Sequence, residues 1–321
     1  MDKKMVELTK AVEAIRQQTS ARSVTPMYEG NNVCAWIGFK HINYLVEHAI
    51  LAHIKGNGLS SRFLYEEYGL GFDVVDIDTR ILSSVHLDDE LTATVIPAAA
   101  EDAWTFKVVL STDEGTKVVT SKVSAVLRRD TYIDPVDRVP AELRPFAAEE
   151  IERPYPKGAR RPAPPSGLGP QEFLAALVAG ANGISWSARI GYPSCHYNER
   201  MAMSGYLRLL EEAKDRFVDS RGISVKTLLD EHRWIPAVPH SQVTMLAEAR
   251  MEETLYIAYT VDDVFKNLTY RSRFDCFVLR DGTPVHTATG TVVHGYAQIH
   301  RRDDWGLVNF DDRVLAALTN A

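Results

Sequence analysis

A spacing of three to four residues between apolar positions marks two long stretches of the chain as amphipathic helices. The first runs from about residue 41 to 54, where Leu45, Ala49 and Ala52 are spaced to share one face. The second runs from about residue 203 to 218, and its apolar face comprises Tyr206, Leu209, Leu210, Ala213 and Phe217. The pattern therefore predicts one long helix in each half of the chain.

Each predicted helix is followed by runs in which apolar and polar residues alternate, as they do in half-buried strands. These runs cover 104–111 and 121–127 in the first half, and 273–280 and 288–294 in the second. The turns between them, Gly115-Thr-Lys-Val-Val-Thr120 and Gly282-Thr-Pro-Val-His-Thr287, are alike and lie 167 residues apart (282 − 115). The repeat predicts two similar α+β units, each with a long helix against an antiparallel sheet.

The remaining segments give the expected domain boundaries. Residues 1–25 hold a short amphipathic helix with Met5, Leu8, Val12 and Ile15 at helical spacing. The two units then cover 26–130 and 194–300, and a tail covers 301–321. Between the units, 131–193 is a proline-rich linker with a short helix at about 171–179, and we interpret its basic residues Lys157, Arg160 and Arg161 as solvated.

Composition narrows the functional classes. The 321 residues are 45% hydrophobic and 25% charged, which is typical of a globular protein, and the net charge of −7 argues against a nucleic-acid partner. No apolar run approaches the ~20 residues of a membrane span, and the N-terminus does not resemble a secretion signal. Three widely separated cysteines predict neither a disulfide framework nor a zinc site. We therefore expect a cytoplasmic protein that does not bind membranes.

Short motifs in both helices resemble those of a known family. Lys40-His-Ile-Asn-Tyr-Leu45 is similar to the Gly-His-Val-Asn-Asn-x-x-Tyr-Leu entry to the helix in the 4-hydroxybenzoyl-CoA thioesterase-like branch of the hot-dog superfamily. Gly205-Tyr-Leu-Arg-Leu-Leu-Glu-Glu-Ala-Lys214 is similar to the helix body of that branch. Together with the duplication, this resemblance implies a double hot-dog, two antiparallel sheets each wrapped around a long central helix.

The chain also departs from the family pattern. The branch often places an Asp shortly before the His-Val-Asn segment, but residues 31–39 contain none. The second half reads Arg200-Met-Ala-Met-Ser204 where the His-Asn pair would stand, and neither half has the Gly-Asp-x-Asn-Pro-x-His signature of hot-dog hydratases. The resemblance therefore implies an enzyme acting on an acyl thioester with one productive site per chain, but it leaves the reaction open.

The candidate catalytic residues lie at the start of the first long helix. The helix N-terminus favours a developing oxyanion, His41 can donate a hydrogen bond or move a proton, and Asn43 can cap the helix and orient a carbonyl or water. Glu47, four residues after Asn43, is the candidate general base or nucleophile. In the second half, Asn198 and Glu199 are candidates for substrate binding.

Other groups are expected to play no chemical role. Neighbours in sequence, such as Cys195 and His196, seldom have the geometry of a nucleophile and its base. His86, Asp88 and Asp89 suggest a turn, because no second cluster of ligands completes a metal site. No glycine-rich nucleotide-binding fingerprint is present, so we expect neither a metal nor another cofactor.

Three functions remain open at this point. The first is a thioesterase that hydrolyses acyl-CoA or an acyl carrier protein. The second is another acyl-thioester enzyme on the same scaffold, a dehydratase or an acyltransferase or decarboxylase of secondary metabolism. The third is a non-catalytic acyl-thioester binding protein. The acyl group, the carrier and any homo-oligomer are left undetermined.

Overall fold

The computed structural model describes residues 3–130, 132–133, 139–156 and 163–319, so the basic residues of the linker lie outside the described part. The chain forms two compact units. The first comprises residues 1–151 together with 195–203, and the second comprises 152–194 and 204–321. We call residues 195–203 the strap. They belong to the first unit, although they lie far from its other residues in sequence.

The first unit combines three helices with six strands. The helices are α1 (Lys3–Gln17), α2 (Phe39–Gly56) and α3 (Ser61–Tyr68). The strands are β1 (Ser20–Val24), β2 (Leu70–Ile81), β3 (Leu91–Ala98), β4 (Trp104–Ser111), β5 (Lys117–Arg129) and β6 (Ala147–Ala148). Antiparallel neighbours follow the order β1-β3-β4-β5-β2, and the short β6 runs parallel to β5.

The second unit has a similar order of elements. Its helices are α4 (Pro170–Leu177), α5 (Met203–Ser220), α6 (Val225–His232) and α7 (Asp312–Thr319). Its strands are β7 (Gly183–Arg189), β8 (Trp234–Met245), β9 (Thr254–Phe265), β10 (Thr269–Arg280), β11 (Thr283–Arg301) and β12 (Asp304–Val308). The antiparallel order is β8-β11-β10-β9-β7, with β12 paired to β11.

The two units repeat at a constant offset through their first three shared elements. The starts of α5 and α2 (203 − 39), of α6 and α3 (225 − 61) and of β8 and β2 (234 − 70) all differ by 164 residues. By the hairpin turns at Gly115 and Gly282 the offset has grown to 167, because β9 and β10 have 12 residues each whereas β3 and β4 have 8 each. The predicted α+β class and the tandem repeat are confirmed.

The structure corrects the expected domain boundaries. The stretch 131–193 is more than a linker, because it contains β6, which pairs with β5, and β7, which pairs with β9, and α4 overlaps the expected short helix. The tail 301–321 carries β12 and α7, and the segment 1–25 carries β1 in addition to α1. The strap groups with the first unit and not with the second domain, since contacts distant in sequence decide its place.

Two helices of the first unit are held by apolar stripes. In α1, Leu8, Val12 and Ile15 are buried and lie at helical spacing. In α2, Ile42, Val46, Ile50 and Ile54 are at most 1% exposed, and burial of each such side chain contributes about 1.5–3 kcal/mol. This stripe fixes the rotation of α2 and leaves another side of the helix for the pocket described next. No helix in the described ranges is long and apolar enough to cross a membrane.

Candidate active site

A pocket of about 790 Å³ lies along α2 in the first unit. It extends from His41 to Leu51, ten residues that span about 15 Å of helix. Its walls come from β1 and the residues after it, from one side of α2, from β2 and from the strap; they are Arg22, Ser23, Val24, Thr25, Met27, His41, Tyr44, Leu45, Glu47, His48, Leu51, Phe72, His196 and Tyr197. The pocket is therefore elongated, with both apolar and titratable side chains.

Glu47 is the carboxylate that lines this pocket. Its side chain is partly buried, and burial is the main reason that its pKa rises from 4.5 to about 7. The negative charge of Asp73 contributes in the same direction. A carboxyl group with a pKa near 7 is well matched to accept and return a proton at neutral pH.

Asp73 belongs to a buried ion pair on the neighbouring sheet. Strand register sets Asp73 of β2 opposite Val126 and sets Gly71 opposite Arg128 of β5, so Asp73 and Arg128 are diagonal neighbours on one face. The Arg128 Nε lies 2.7 Å from the Asp73 Oδ2, and both side chains are almost wholly buried. Burial raises the pKa of Asp73, and the positive charges of Arg128, His196 and Arg200 partly oppose that rise.

The first turn of α2 lies at one end of the pocket. Its N-cap is Gly38, which has no side chain, and the N–H groups of His41 and Ile42 donate to the carbonyl oxygen of Gly38 at 3.0 and 3.1 Å. His41 is 6% exposed, its Nε2 lies 3.7 Å from the Glu29 Oε1, and its ring meets that of Tyr44 edge-on. A Cβ on Gly30 would lie 2.7 Å from the His41 Cβ, so only glycine lets His41 pack this closely. The helix end is thus suited to a developing negative charge.

Asn43 does not have the position expected for it. The helix begins at Phe39, so Asn43 lies within α2 and is not its N-cap. Its Nδ2 donates to the carbonyl oxygen of Phe39 at 2.9 Å, and its Oδ1 accepts from the Thr79 Oγ1 at 2.6 Å. Asn43 is 1% exposed and is not among the residues that line the pocket. Although it is four residues before Glu47, it faces the sheet and ties α2 to β2.

The strap contributes different residues to the pocket from those expected. His196 and Tyr197 line it, whereas Asn198 and Glu199 do not. The Asn198 Oδ1 accepts a hydrogen bond from the backbone N–H of Arg200 at 3.1 Å, as in a local turn. Burial raises the pKa of the neighbouring Cys195 thiol, which disfavours the thiolate that a nucleophilic cysteine needs.

Sequence reasoning did not identify Asp73, Arg128 or His196 as part of this region. The signal for the first two was an ionisable residue within each of two apolar strand runs, Leu70-Gly-Phe-Asp-Val-Val75 and Val123-Ser-Ala-Val-Leu-Arg128. Such residues are seldom fully buried unless they are paired. His196 was considered only as a partner for Cys195 and set aside, and the residues of its segment expected in the site were Asn198 and Glu199; the folded chain places His196 at the pocket instead. In the ranges that the structure describes, no group of three or more His, Cys, Asp or Glu side chains is arranged to hold a metal ion.

Comparisons with known proteins agree with this architecture. Residues 190–318 match the family model described as Thioesterase-like superfamily. Over 87% of this chain and 95% of the other, the structure is similar to a putative oleoyl thioesterase from Lactobacillus plantarum, at 12% identity and a TM-score of 0.60. A 12:0-ACP thioesterase from Umbellularia californica gives a TM-score of 0.59 at 11% identity, over 87% of this chain and 94% of the other.

A third solved structure extends the agreement. An acyl-ACP thioesterase from Bacteroides thetaiotaomicron has a TM-score of 0.54 at 10% identity, over 88% of this chain and 99% of the other. A sequence search of curated proteins gives no significant match. The chain thus has the expected double hot-dog fold, and the family-model match over residues 190–318 agrees with the resemblance to thioesterase-like proteins. At these identities the likeness establishes the fold, and the activity has to be argued from the site.

Proposed function

We propose that this protein is a thioesterase that hydrolyses an acyl group carried as a thioester by CoA or by an acyl carrier protein. The observation that carries the proposal is Glu47, a partly buried carboxyl group with a pKa near 7 inside an elongated pocket. The family match and the similar thioesterase folds support the same reaction class.

The first step is polarisation of the thioester carbonyl. The carbonyl oxygen points toward the first turn of α2, where the N-cap Gly38 supplies no competing side-chain acceptor. Helix side chains tilt toward the N-terminus, so the carboxylate of Glu47 reaches back over the preceding turn toward that end. The N–H groups and the helix dipole stabilise the oxyanion as it forms.

The second step is attack by water. Ionised Glu47 takes a proton from a water molecule while the water oxygen bonds to the carbonyl carbon. The tetrahedral intermediate then collapses, the carbon–sulfur bond breaks, and the electron pair leaves on sulfur. The products are the free acid and the thiol. A direct attack by the Glu47 carboxylate is the alternative, and it would pass through an anhydride that water then opens.

The two routes differ in where water oxygen ends up. A single turnover in H₂¹⁸O puts one labelled oxygen into the product acid if Glu47 is a general base. Opening of an anhydride at the enzyme carbonyl would instead place the label on Glu47, where peptide mass spectrometry finds it. Label on Glu47 identifies the nucleophilic route, and label in the acid alone identifies attack of water on the acyl carbonyl.

The decisive test of the function is release of free thiol from a panel of acyl-CoAs and acyl carrier proteins, with mass spectrometry of every product. We expect free thiol together with the intact acid. Glu47→Gln should lower turnover by at least about 10²-fold and leave substrate binding nearly unchanged. Glu211→Gln is the matched control, because Glu211 is 164 residues further on (211 − 47), at the equivalent place in α5.

Other outcomes would favour the other candidate functions. An altered acyl mass without thiol release would indicate a dehydratase or decarboxylase, and acyl transfer to a second acceptor would indicate a transferase. Tight binding of every substrate without any product would indicate a binding protein. Full turnover by Glu47→Gln would remove Glu47 from the mechanism.

A further inference from the structure

The strap is held in place by hydrogen bonds to buried groups of the first unit. Cys195 and Met201 form an antiparallel bridge, which closes the strap into a small loop. The Arg200 Nη1 donates to the carbonyl oxygen of Glu149 at 2.6 Å, and the Arg128 Nη2 donates to that of Met201 at 3.2 Å. Because Arg128 also pairs with Asp73, the strap is fixed to the same ion pair that raises the pKa of Glu47 through Asp73.

Tyr197 fixes the tip of the strap against the sheet. A Cβ on Gly71 would lie 3.2 Å from ring atoms of Tyr197, so the ring packs on a bare stretch of β2 backbone. The Tyr65 ring centroid lies 5.2 Å from the Tyr197 ring centroid, and the Tyr65 hydroxyl, which donates to the Asp130 Oδ2 at 2.7 Å, lies 3.4 Å from the Tyr197 carbonyl oxygen. Tyr197 has a φ of 46°, a left-handed conformation that costs about 1 kcal/mol or more in a non-glycine residue. The contacts of Tyr197 with Gly71 and Tyr65 stabilise this conformation.

This arrangement brings His196 into the pocket that contains Glu47. His196 is exposed and lines the pocket, so a ligand can reach its ring. It is also near enough to Asp73 for its positive charge to help keep that buried carboxyl ionised. An imidazole is the side chain that most readily gives or takes a proton at neutral pH. The strap thus contributes a proton-transfer group of its own to the pocket.

The hydrolysis proposed above has a step that needs such a group. An alkyl thiol such as that of CoA has a pKa of about 8.5 or higher, so its thiolate leaves more readily when it receives a proton. Glu47 is occupied by the proton from water at that moment. Two other histidines, His41 and His48, line the pocket. His48 follows Glu47 directly on α2, so the two side chains point about 100° apart. His41 lies at the end of the pocket where the oxyanion forms.

We propose that His196 is a catalytic residue that protonates the leaving sulfur, a role that rests on the proposed thioester hydrolysis. As the carbon–sulfur bond breaks, its electron pair moves to sulfur and takes the proton from the His196 imidazolium. The neutral imidazole is then reprotonated by the proton that Glu47 took from water, directly or through solvent. The balance is one thioester and one water consumed, with one acid and one thiol formed.

The test compares two leaving groups in the purified full-length protein. One substrate is an acyl-CoA, whose alkyl thiolate needs a proton; the other carries the same acyl group on 4-nitrothiophenol, whose thiolate leaves without one. We expect His196→Gln to lower kcat/KM about 10²-fold on the CoA ester and less than about threefold on the aryl ester. Added imidazole should restore part of the CoA-ester activity of His196→Ala.

Two control variants separate this role from a structural one. His300→Gln, at an exposed site in the second unit, should change neither rate. His48→Gln alters the same pocket and should affect both substrates by the same factor. Equal losses on both esters for His196→Gln, or an undiminished rate on the CoA ester, would overturn the role of His196 alone. Release of neither thiol by the unaltered protein would overturn the thioesterase proposal as well.

Discussion

Replacing Glu47 by Gln should stabilise the protein at the pH where it removes activity. The folded chain raises the pKa of Glu47 from 4.5 to about 7, so folding favours the protonated form. Between these pH values the folded state binds more protons than the unfolded state, and the free energy of unfolding therefore falls as pH rises. Glutamine is neutral at every pH, so it causes no such fall in the free energy of unfolding.

The size of the effect follows from the pKa values. A rise from 4.5 to about 7, at ~1.4 kcal/mol per pKa unit, gives a ceiling of about 3.5 kcal/mol. Glu47 keeps some exposure to solvent, so we expect a gain of about 1–3 kcal/mol at pH 8. Below pH 4.5 both proteins carry a neutral side chain, and their stabilities should agree.

Denaturant unfolding of both proteins at pH 4.5, 6, 7 and 8, followed by circular dichroism, measures this difference. Glu13→Gln, at an exposed position of α1, is the control, and it should change stability by less than about 0.5 kcal/mol. A Glu47→Gln protein that is less stable than the original at pH 8, or a difference that does not grow with pH, would refute the reasoning. Such a result would mean that the Glu47 carboxylate is well solvated in the folded protein and that its pKa is not raised by burial.

Two further predictions concern stability and the first turn of α2. Lys214 of α5 is 7% exposed, and burial lowers its pKa to about 8, so Lys214→Met should stabilise the protein by up to about 3 kcal/mol at pH 7. Because the folded state releases this proton near pH 8 and the unfolded state near 10.5, the gain should fade over that interval in pH-dependent unfolding; a constant gain would contradict it. Gly30→Ala should lower stability by about 1–3 kcal/mol and also lower turnover, since its Cβ would displace His41. Unchanged kinetics and unfolding in that variant would show that His41 can move at no cost.

Much of the fold could be predicted because its signals are local. The apolar stripes of α2 and α5 follow the helix period, and buried and more exposed residues alternate along β3. The duplicated turns identified the tandem repeat. Glu47 could be singled out for the same reason, since its position on a helix of known phase is a local property.

Asn43 shows where local reasoning failed. Its residue type suits a helix cap, but the helix begins four residues earlier, at Phe39. The Asn43 side chain instead accepts a hydrogen bond from the Thr79 hydroxyl of β2. Sequence spacing gives the relative direction of side chains on α2 but not which direction faces the sheet. The buried stripe through Val46 and Ile50 decides that, because the helix rotates to bury it.

The sequence by itself therefore determined the two long helices, the antiparallel strands and the repeat, and it singled out Glu47, a carboxylate that lines the pocket. Only the tertiary structure decided that Asp73 pairs with Arg128, through the register of β2 and β5. It also decided that the strap belongs to the first unit, which brings His196 beside the pocket of Glu47. Both depend on contacts between residues more than 50 positions apart, and such contacts leave no periodic trace in the chain because they are selected by the packing of whole elements.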